Sequence, residues 1–285
     1  MKRIVTIQDI SCVGKCSLTV ALPVISAMGV EASVIPTAVL SCHTAFSDFT
    51  FHDLTDEIEP IVAMLKKQQI DFDAIYTGYL GSVRQIKIMS QVFKEFKTDK
   101  NIVVVDPAMA DYGNLYKGFT QDFADEMAKL CGCADVILPN LTEACYMLNI
   151  PYVGDNYTKE FIKDVLVRLS KQGCGYCAIT GVSFDSHTVG VMSYDRKNDS
   201  FFEYYSQKLP YSFHGTGDVF ASAFTGALMQ EGFSKEDALQ IAVDFTVECI
   251  RETLKNKDYH WYGVDFEKAL PKLIKMLKDR KTENQ

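Results

Sequence analysis

His214-Gly215-Thr216-Gly217-Asp218 sets two kinds of chemistry side by side. The glycine-threonine-glycine turn opens a run, DVFASAFTGALMQ, whose small and apolar residues fall at helical spacing. A helix N-terminus there presents unpaired backbone N–H groups and the positive end of the dipole, and glycines let an anion come close to the backbone. An acid at the same place has two readings. As a cap, Asp218 would satisfy orphan N–H groups. As a general base, it would take the proton of a neutral hydroxyl lying between it and the turn, while Gly215, Thr216 and Gly217 hold the charge developing on a transferring phosphoryl group. The second reading accounts for both features together and names a reaction class, phosphoryl transfer to an alcohol.

That reaction needs a cation on the nucleotide phosphates, and two acidic sites offer oxygen ligands. IVVVDP puts Asp106 just beyond a buried strand, where Pro107 forces a turn. PNLTEA follows the next strand: Asn140 can cap the helix that it opens, and Glu143, three residues on, can complete a capping box. Taken alone, turn and cap chemistry explain these residues. Taken together, they lie at strand ends and supply hard oxygen donors suited to Mg²⁺, which keeps waters and uses one or two carboxylates.

The elements that must position these residues read as an α/β fold. Strand candidates are 3–8, 32–36, 74–77, 102–105, 136–138 and 177–180, alternating with helical patterns near 18–28, 56–69, 83–97, 121–131, 141–148 and 158–172. Val103–Val105 is apolar at successive positions, so both of its faces are covered, as at the centre of a mostly parallel sheet with helices on both sides. HTVGVMSYD and FFEYYSQ, separated by residues 196–200, read as an edge hairpin. Two long helices and a charged, frayed tail at 279–285 finish the chain. No repeat or linker interrupts the pattern, so residues 1–285 read as one domain. In such sheets ligands bind beyond the carboxyl ends of the strands.

Composition narrows the partners. A formal charge of −8 argues against nucleic acid and anionic membranes, leaving small molecules. An odd count of nine cysteines, with no secretory signal at the N-terminus, fits reduced thiols and the cytoplasm. GKCS at 14–17 hints at a P-loop, but that motif needs glycine at position 9 and serine or threonine at position 16, where this chain has Asp9 and Cys16. Zinc is disfavoured at Cys131/Cys133 by spacing and at Cys174/Cys177 because Cys177 begins an apolar strand. His214 is read as packing or solvent-facing.

With HGTGDVFA, DPAMAD and PNLTEA on the page, the chain resembles the ribokinase-like superfamily. VLSCHTAF, FDAIYTGYLGS and IQDISCVGKCSLTVALPVISAMG make it similar to that superfamily's vitamin B6 kinase branch, above all bacterial pyridoxamine and pyridoxal kinases, over residues 3–255. The resemblance implies a three-layer sandwich and ATP-dependent phosphorylation of the 5′-hydroxymethyl group of a B6 vitamer. It makes Asp218 the base and Gly215, Thr216 and Gly217 the anion hole. It puts Asp106 and Glu143 on Mg²⁺ and water, and Asn140 near the phosphates. Asp9, Thr44 and Tyr79 match positions lining the pyridine pocket. Thr180 and Gly181 match a turn where relatives hold nucleotide phosphates and, in some, K⁺. Residues 111–120, with Gly113 and Gly118 as hinges, resemble a flap that closes over ATP.

Ala45 and Ala110 replace glycines usual in the family, Cys42 replaces a typical Thr or Asn, and Leu138 stands where many relatives have threonine beside the monovalent cation. The alternatives are hydroxymethylpyrimidine kinase of thiamine synthesis, which shares the turn, and a non-catalytic vitamer sensor. Sugar and nucleoside kinases usually insert a β lid between the first strands, for which residues 8–31 leave no room. The edge hairpin and the resemblance together predict a homodimer.

Overall fold

The computed structural model describes residues 1–284. In chain order its elements are β1 (Arg3–Ser11), α1 (Leu18–Ala27), β2 (Glu31–Leu40), β3 (Phe51–Asp53), α2 (Thr55–Lys67), β4 (Ala74–Thr77), α3 (Val83–Phe96) and β5 (Ile102–Val105). There follow β6 (Ala110–Asp111), β7 (Asn114–Leu115), α4 (Gln121–Cys131), β8 (Val136–Ile137), α5 (Leu141–Met147), α6 (Lys159–Lys171) and β9 (Tyr176–Val182). The chain ends with β10 (Thr188–Asp195), β11 (Ser200–Gln207), α7 (Thr216–Leu228), α8 (Lys235–Leu254) and α9 (Phe266–Glu283).

The main sheet runs β11-β10-β9-β8-β5-β4-β1-β2-β3. Pairings from β2 through β9 are parallel, while β3 at one edge and the β10–β11 hairpin at the other are antiparallel. The predicted α/β sandwich is therefore the fold. Its three layers follow from side-chain alternation: Val103 and Val105 pack into the core beneath α2–α6, and Val104 into the core beneath α1, α7, α8 and α9. Each such valine, fully removed from water, stabilises by about 1.5–3 kcal/mol before chain entropy is counted. The strand order reverses at β1, flanked by β2 and β4, and the crevice above that switch is where the sheet rule places a ligand.

Three features differ from the sequence reading. β3 was not anticipated, because its three residues are all exposed and carry no apolar alternation. Residues 110–115 form a second, two-stranded sheet, β6–β7, at the start of the predicted flap. The tail expected to fray from Asp279 is instead helical to Glu283. Arg280 donates to Asp237 Oδ1 (2.9 Å) and Gln240 Oε1 (2.7 Å), and Asn284 Nδ2 to the Gly232 carbonyl (3.2 Å), so one ion pair and two hydrogen bonds to α8 and the turn before it hold the tail. Gln285 lies outside the described residues.

Candidate active site

Asp218 occupies the third position of α7, and the N-cap is Gly215. The first intrahelical bond runs from Val219 N–H to the Gly215 carbonyl (3.0 Å), leaving the N–H groups of Thr216, Gly217 and Asp218 at the open end of the helix. Gly215 is left-handed (φ 77°), and a Cβ on it would lie 2.1 Å from the Lys15 carbonyl oxygen, so no other residue fits. A Cβ on exposed Gly217 would meet nothing within 4 Å, so this part of the turn is open to a ligand. The Thr216 hydroxyl donates backward to the Phe213 carbonyl (3.1 Å). The turn thus presents free N–H groups to open space, and Asp218, at the third helical position, is not the N-cap.

The carboxyl groups converge. Burial, then the negative charges of Asp106 and Asp9, push the Asp218 carboxyl up to about 8, against which the Ser17 N–H, facing it, acts. Asp9 is buried near the end of β1, where the β1–β2 register slips between Gln8 and Ile10, a bulge of the kind that re-aims a side chain. Burial raises its carboxyl, opposed by the hydroxyls of Ser17 and Ser11, the latter donating at 2.8 Å. Tyr79, beyond the end of β4, has its phenol pushed up to about 12 by burial and by the charge of Asp9. Asp9 and Tyr79 thus flank the switch-point crevice. The face of Tyr79 is stacked on Phe119 of the flap segment (ring centroids 5.7 Å), so an aromatic surface joins flap to crevice.

Asp106 is buried beyond β5, its backbone N–H donating to the Thr77 carbonyl (2.9 Å). Burial, then the neighbouring Glu143 carboxylate, holds it well above the usual carboxylate range. Burial raises Glu143 too. The capping box read from PNLTEA is present: Asn140 Oδ1 accepts from Glu143 N–H (2.9 Å) and Glu143 Oε2 from Asn140 N–H (2.8 Å). Glu143 Oε1 also accepts from Met109 N–H (3.0 Å), and Asn140 Nδ2 donates to the Ala110 carbonyl (2.8 Å). These two side chains therefore tie the base of the flap to α5. Two crowded buried carboxyls, one already hydrogen-bonded at both oxygens, suit a cation that takes few protein ligands and keeps its waters, as Mg²⁺ does. Among the described residues no three His, Cys, Asp or Glu side chains are grouped to hold a metal by themselves.

Thr180 donates its N–H to the Pro139 carbonyl (2.9 Å) and bridges to Asn140, bringing the β8 and β9 ends together. Gly181 (φ 71°) is the extra residue where the β9–β10 register shifts, and it faces outward. The flap's Gly113 (φ 79°) is gripped by α5: its N–H donates to Thr142 Oγ1 (3.0 Å) and its carbonyl accepts from the Tyr146 hydroxyl (3.2 Å). Gly118, the other predicted hinge, also has positive φ (91°). Thr44 is exposed on the loop after β2. That loop nevertheless reaches the turn, since the ring of buried His43 lies 5.2 Å from that of His214, the residue before Gly215.

Sequence reasoning missed His43, Trp261 and the segment 14–17. His43 packs against Trp261 (5.9 Å) and bonds the Tyr262 carbonyl through Nε2 (3.1 Å). Its Nδ1 accepts from Ala45 N–H (3.1 Å), so Nε2 carries the proton, and burial lowers its pKa. No spacing rule links positions 43 and 261. The GKCS stretch did carry a signal, but as a failed phosphate motif it was set aside.

Residues 20–263 match the phosphomethylpyrimidine kinase family. Two crystal forms of a Bacteroides thetaiotaomicron protein assigned as a phosphomethylpyrimidine kinase, one of them with pyridoxal, are 42% identical. They superpose with TM-scores of 0.91 and 0.90, each over 95% of this chain and 93% and 95% of that protein's. Pyridoxal kinase from Lactobacillus plantarum is 29% identical, with a TM-score of 0.88 over 98% of this chain and 99% of its own. BUD16 of Saccharomyces cerevisiae, assigned as a pyridoxal kinase, is 29% identical over 50% of this chain, and the match spans 47% of the yeast protein.

Proposed function

The chain belongs to the phosphomethylpyrimidine kinase family, and on that premise we propose that it phosphorylates the 5′-hydroxymethyl group of a vitamin B6 vitamer with ATP. The observation that carries this reading is Asp218, a carboxyl raised to about 8 on the first turn of a helix whose free N–H groups face the same opening. A base raised this far is poised to take a hydroxyl proton near neutral pH. The pyridoxal complex of the 42%-identical relative supports a B6 vitamer as acceptor.

In this reading Asp9, Thr44 and Tyr79 hold the ring at the β1–β4 crevice and point its hydroxymethyl group toward Asp218. Asp218 takes the hydroxyl proton as the oxygen attacks the γ-phosphorus of ATP and the bond from that phosphorus to the β–γ bridging oxygen breaks, releasing ADP. The N–H groups of Gly215, Thr216 and Gly217 receive the charge on the transferring group. Asp106, with Glu143 behind it, would hold Mg²⁺, which when bound neutralises charge on the phosphates. Asn140, Thr180 and Gly181 line the nucleotide side, and the 111–120 flap excludes water. Thr180 and Gly181 match the turn where some relatives hold K⁺, but Leu138 offers no hydroxyl for it, which weighs against K⁺ dependence here.

The reading takes residues 1–285 as one catalytic domain acting in the cytoplasm, which suits nine free thiols. No helix among the described residues is long and apolar enough to cross a membrane. The exposed edge of β11 offers a pairing surface for a homodimer.

The name of a Haemophilus influenzae relative 27% identical over 89% of this chain, hydroxymethylpyrimidine/phosphomethylpyrimidine kinase, supports a second acceptor, hydroxymethylpyrimidine, also a hydroxymethyl group on a flat heteroaromatic ring. One experiment separates the readings: mass spectrometry of products after incubation with Mg-ATP and equimolar pyridoxal, pyridoxamine, pyridoxine and hydroxymethylpyrimidine. B6 phosphates support the proposal. Hydroxymethylpyrimidine phosphate alone transfers it to the second acceptor, and no product leaves a non-catalytic sensor.

A further inference from the structure

Between β1 and α1 the chain is bent into conformations that side-chain-bearing residues avoid. Lys15 has φ 51°, and Ser17 has φ 48° and ψ −132°. Such strain persists only where the surroundings over-determine it. On the inner side of this segment lies the site. The Lys15 carbonyl packs against the α-carbon of Gly215, Ser17 faces Asp218 with its N–H and Asp9 with its hydroxyl, and Cys16 is buried beside both acids.

On the outer side lies the start of α9. Lys15 Nζ donates to Asp265 Oδ1 and Glu267 Oε2, both at 2.9 Å, and stands 5.9 Å from the centre of the Phe266 ring. Its side chain is only 19% exposed. Gly263 lies so close that a Cβ there would meet Lys15 Cβ at 2.6 Å. Asp265 stands at the N-cap of α9, yet its side chain makes no cap bond. Its two oxygens go to Lys15 and to Lys268 (2.6 Å). An ammonium committed to two carboxylates of α9 is an anchor, not a phosphate ligand.

We propose that Lys15 is a positioning residue for phosphoryl transfer: its ion pair with Asp265 and Glu267 pins the strained 14–17 segment, and that segment sets the Gly215 turn and the Asp218 carboxylate. The first residues of α9 thereby become part of the catalytic framework. The proposal rests on the kinase reading above.

Four variants test it: Lys15→Met, of similar length without charge; Lys15→Arg, which keeps the charge; Asp265→Asn; and the Lys15→Met/Asp265→Asn pair. Lys15→Met is expected to lower kcat about tenfold to a hundredfold, with KM for ATP and for the acceptor changed by less than about threefold. Lys15→Arg should restore most of the rate, and the double variant should fall no more than about threefold below Lys15→Met, since both changes break one interaction. Amide exchange provides a readout independent of turnover: in Lys15→Met it should accelerate at least about tenfold at the Ser17 N–H, which Asp218 holds, and at the Val219 N–H, which the Gly215 carbonyl holds, with β4 and β5 unchanged. A Lys15→Met kcat within about twofold of the parent overturns the proposal, and so does exchange that rises evenly through the sheet. If the parent phosphorylates no acceptor, the kinase reading fails by itself, and the exchange pattern alone decides whether Lys15 anchors the loop.

Discussion

Asp218→Asn should inactivate the protein and stabilise it at the same time. Burial, Asp106 and Asp9 push this carboxyl from 3.8 up to about 8. In the unfolded chain it returns to its ordinary value, so the native state binds its proton more tightly. The stability this contributes is complete below pH 3.8 and is lost as pH rises to about 8. At 1.36 kcal/mol per pH unit the upper limit is roughly 5–6 kcal/mol, and screening on the side open to the cleft reduces it to about 2 kcal/mol. Asparagine carries no charge and keeps an acceptor for the Ser17 N–H. Urea unfolding with chelator present, followed through Trp261, the single tryptophan, should therefore show Asp218→Asn ahead by about 2 kcal/mol at pH 9 and about 0.5 kcal/mol at pH 5. Phosphoryl transfer should fall by about 10²–10⁴ in rate. If Asp218 served the helix dipole alone, the sign would reverse, because removing a negative charge from the first turn costs about 0.3–1 kcal/mol. A variant less stable than the parent at pH 9, with activity within about tenfold of it, would refute the reasoning.

Gly215→Ala should lose activity and at least about 1–2 kcal/mol of stability from the left-handed backbone alone, with more from the clash at the Lys15 carbonyl; near-parental turnover would show that the turn is not the anion cradle. Glu143→Ala frees the N–H groups of Met109 and Asn140 and should lower stability by about 2–4 kcal/mol, at about 1–3 per orphaned donor before relaxation. Faster amide exchange across residues 109–115 checks this tether, and a role confined to Mg²⁺ would leave chelated protein unchanged. Mg²⁺ at pH 8 should raise the melting temperature of the parent by relieving the crowded carboxyls, and should raise that of Asp106→Asn less. Equal shifts would remove Asp106 from the cation site.

What could be read in advance was whatever a local pattern encodes. Val103–Val105 announced a strand covered on both faces because three successive apolar residues have no other economical use, and the acids beyond β5 and β8 followed from where such strands end. PNLTEA carried its capping box openly because both partners lie within one helical turn. Illegible were relations between segments distant in sequence that have no period of their own. Position 14 meets position 43, position 15 meets 215 and 265, and position 43 meets 214 and 261. Each of these contacts involves a loop, and a loop's conformation is decided by what it packs against. The GKCS stretch shows the consequence. As a phosphate motif it fails, because its glycine and hydroxyl residues are misplaced. Its lysine nevertheless acts beside an anion cradle, from the opposite side and through carboxylates of α9. Comparing the stretch with a known motif tests only one of the ways a lysine next to a strained turn can serve phosphate chemistry. The proposed role of Lys15 is the other way, in which the positive charge holds the backbone that holds the base.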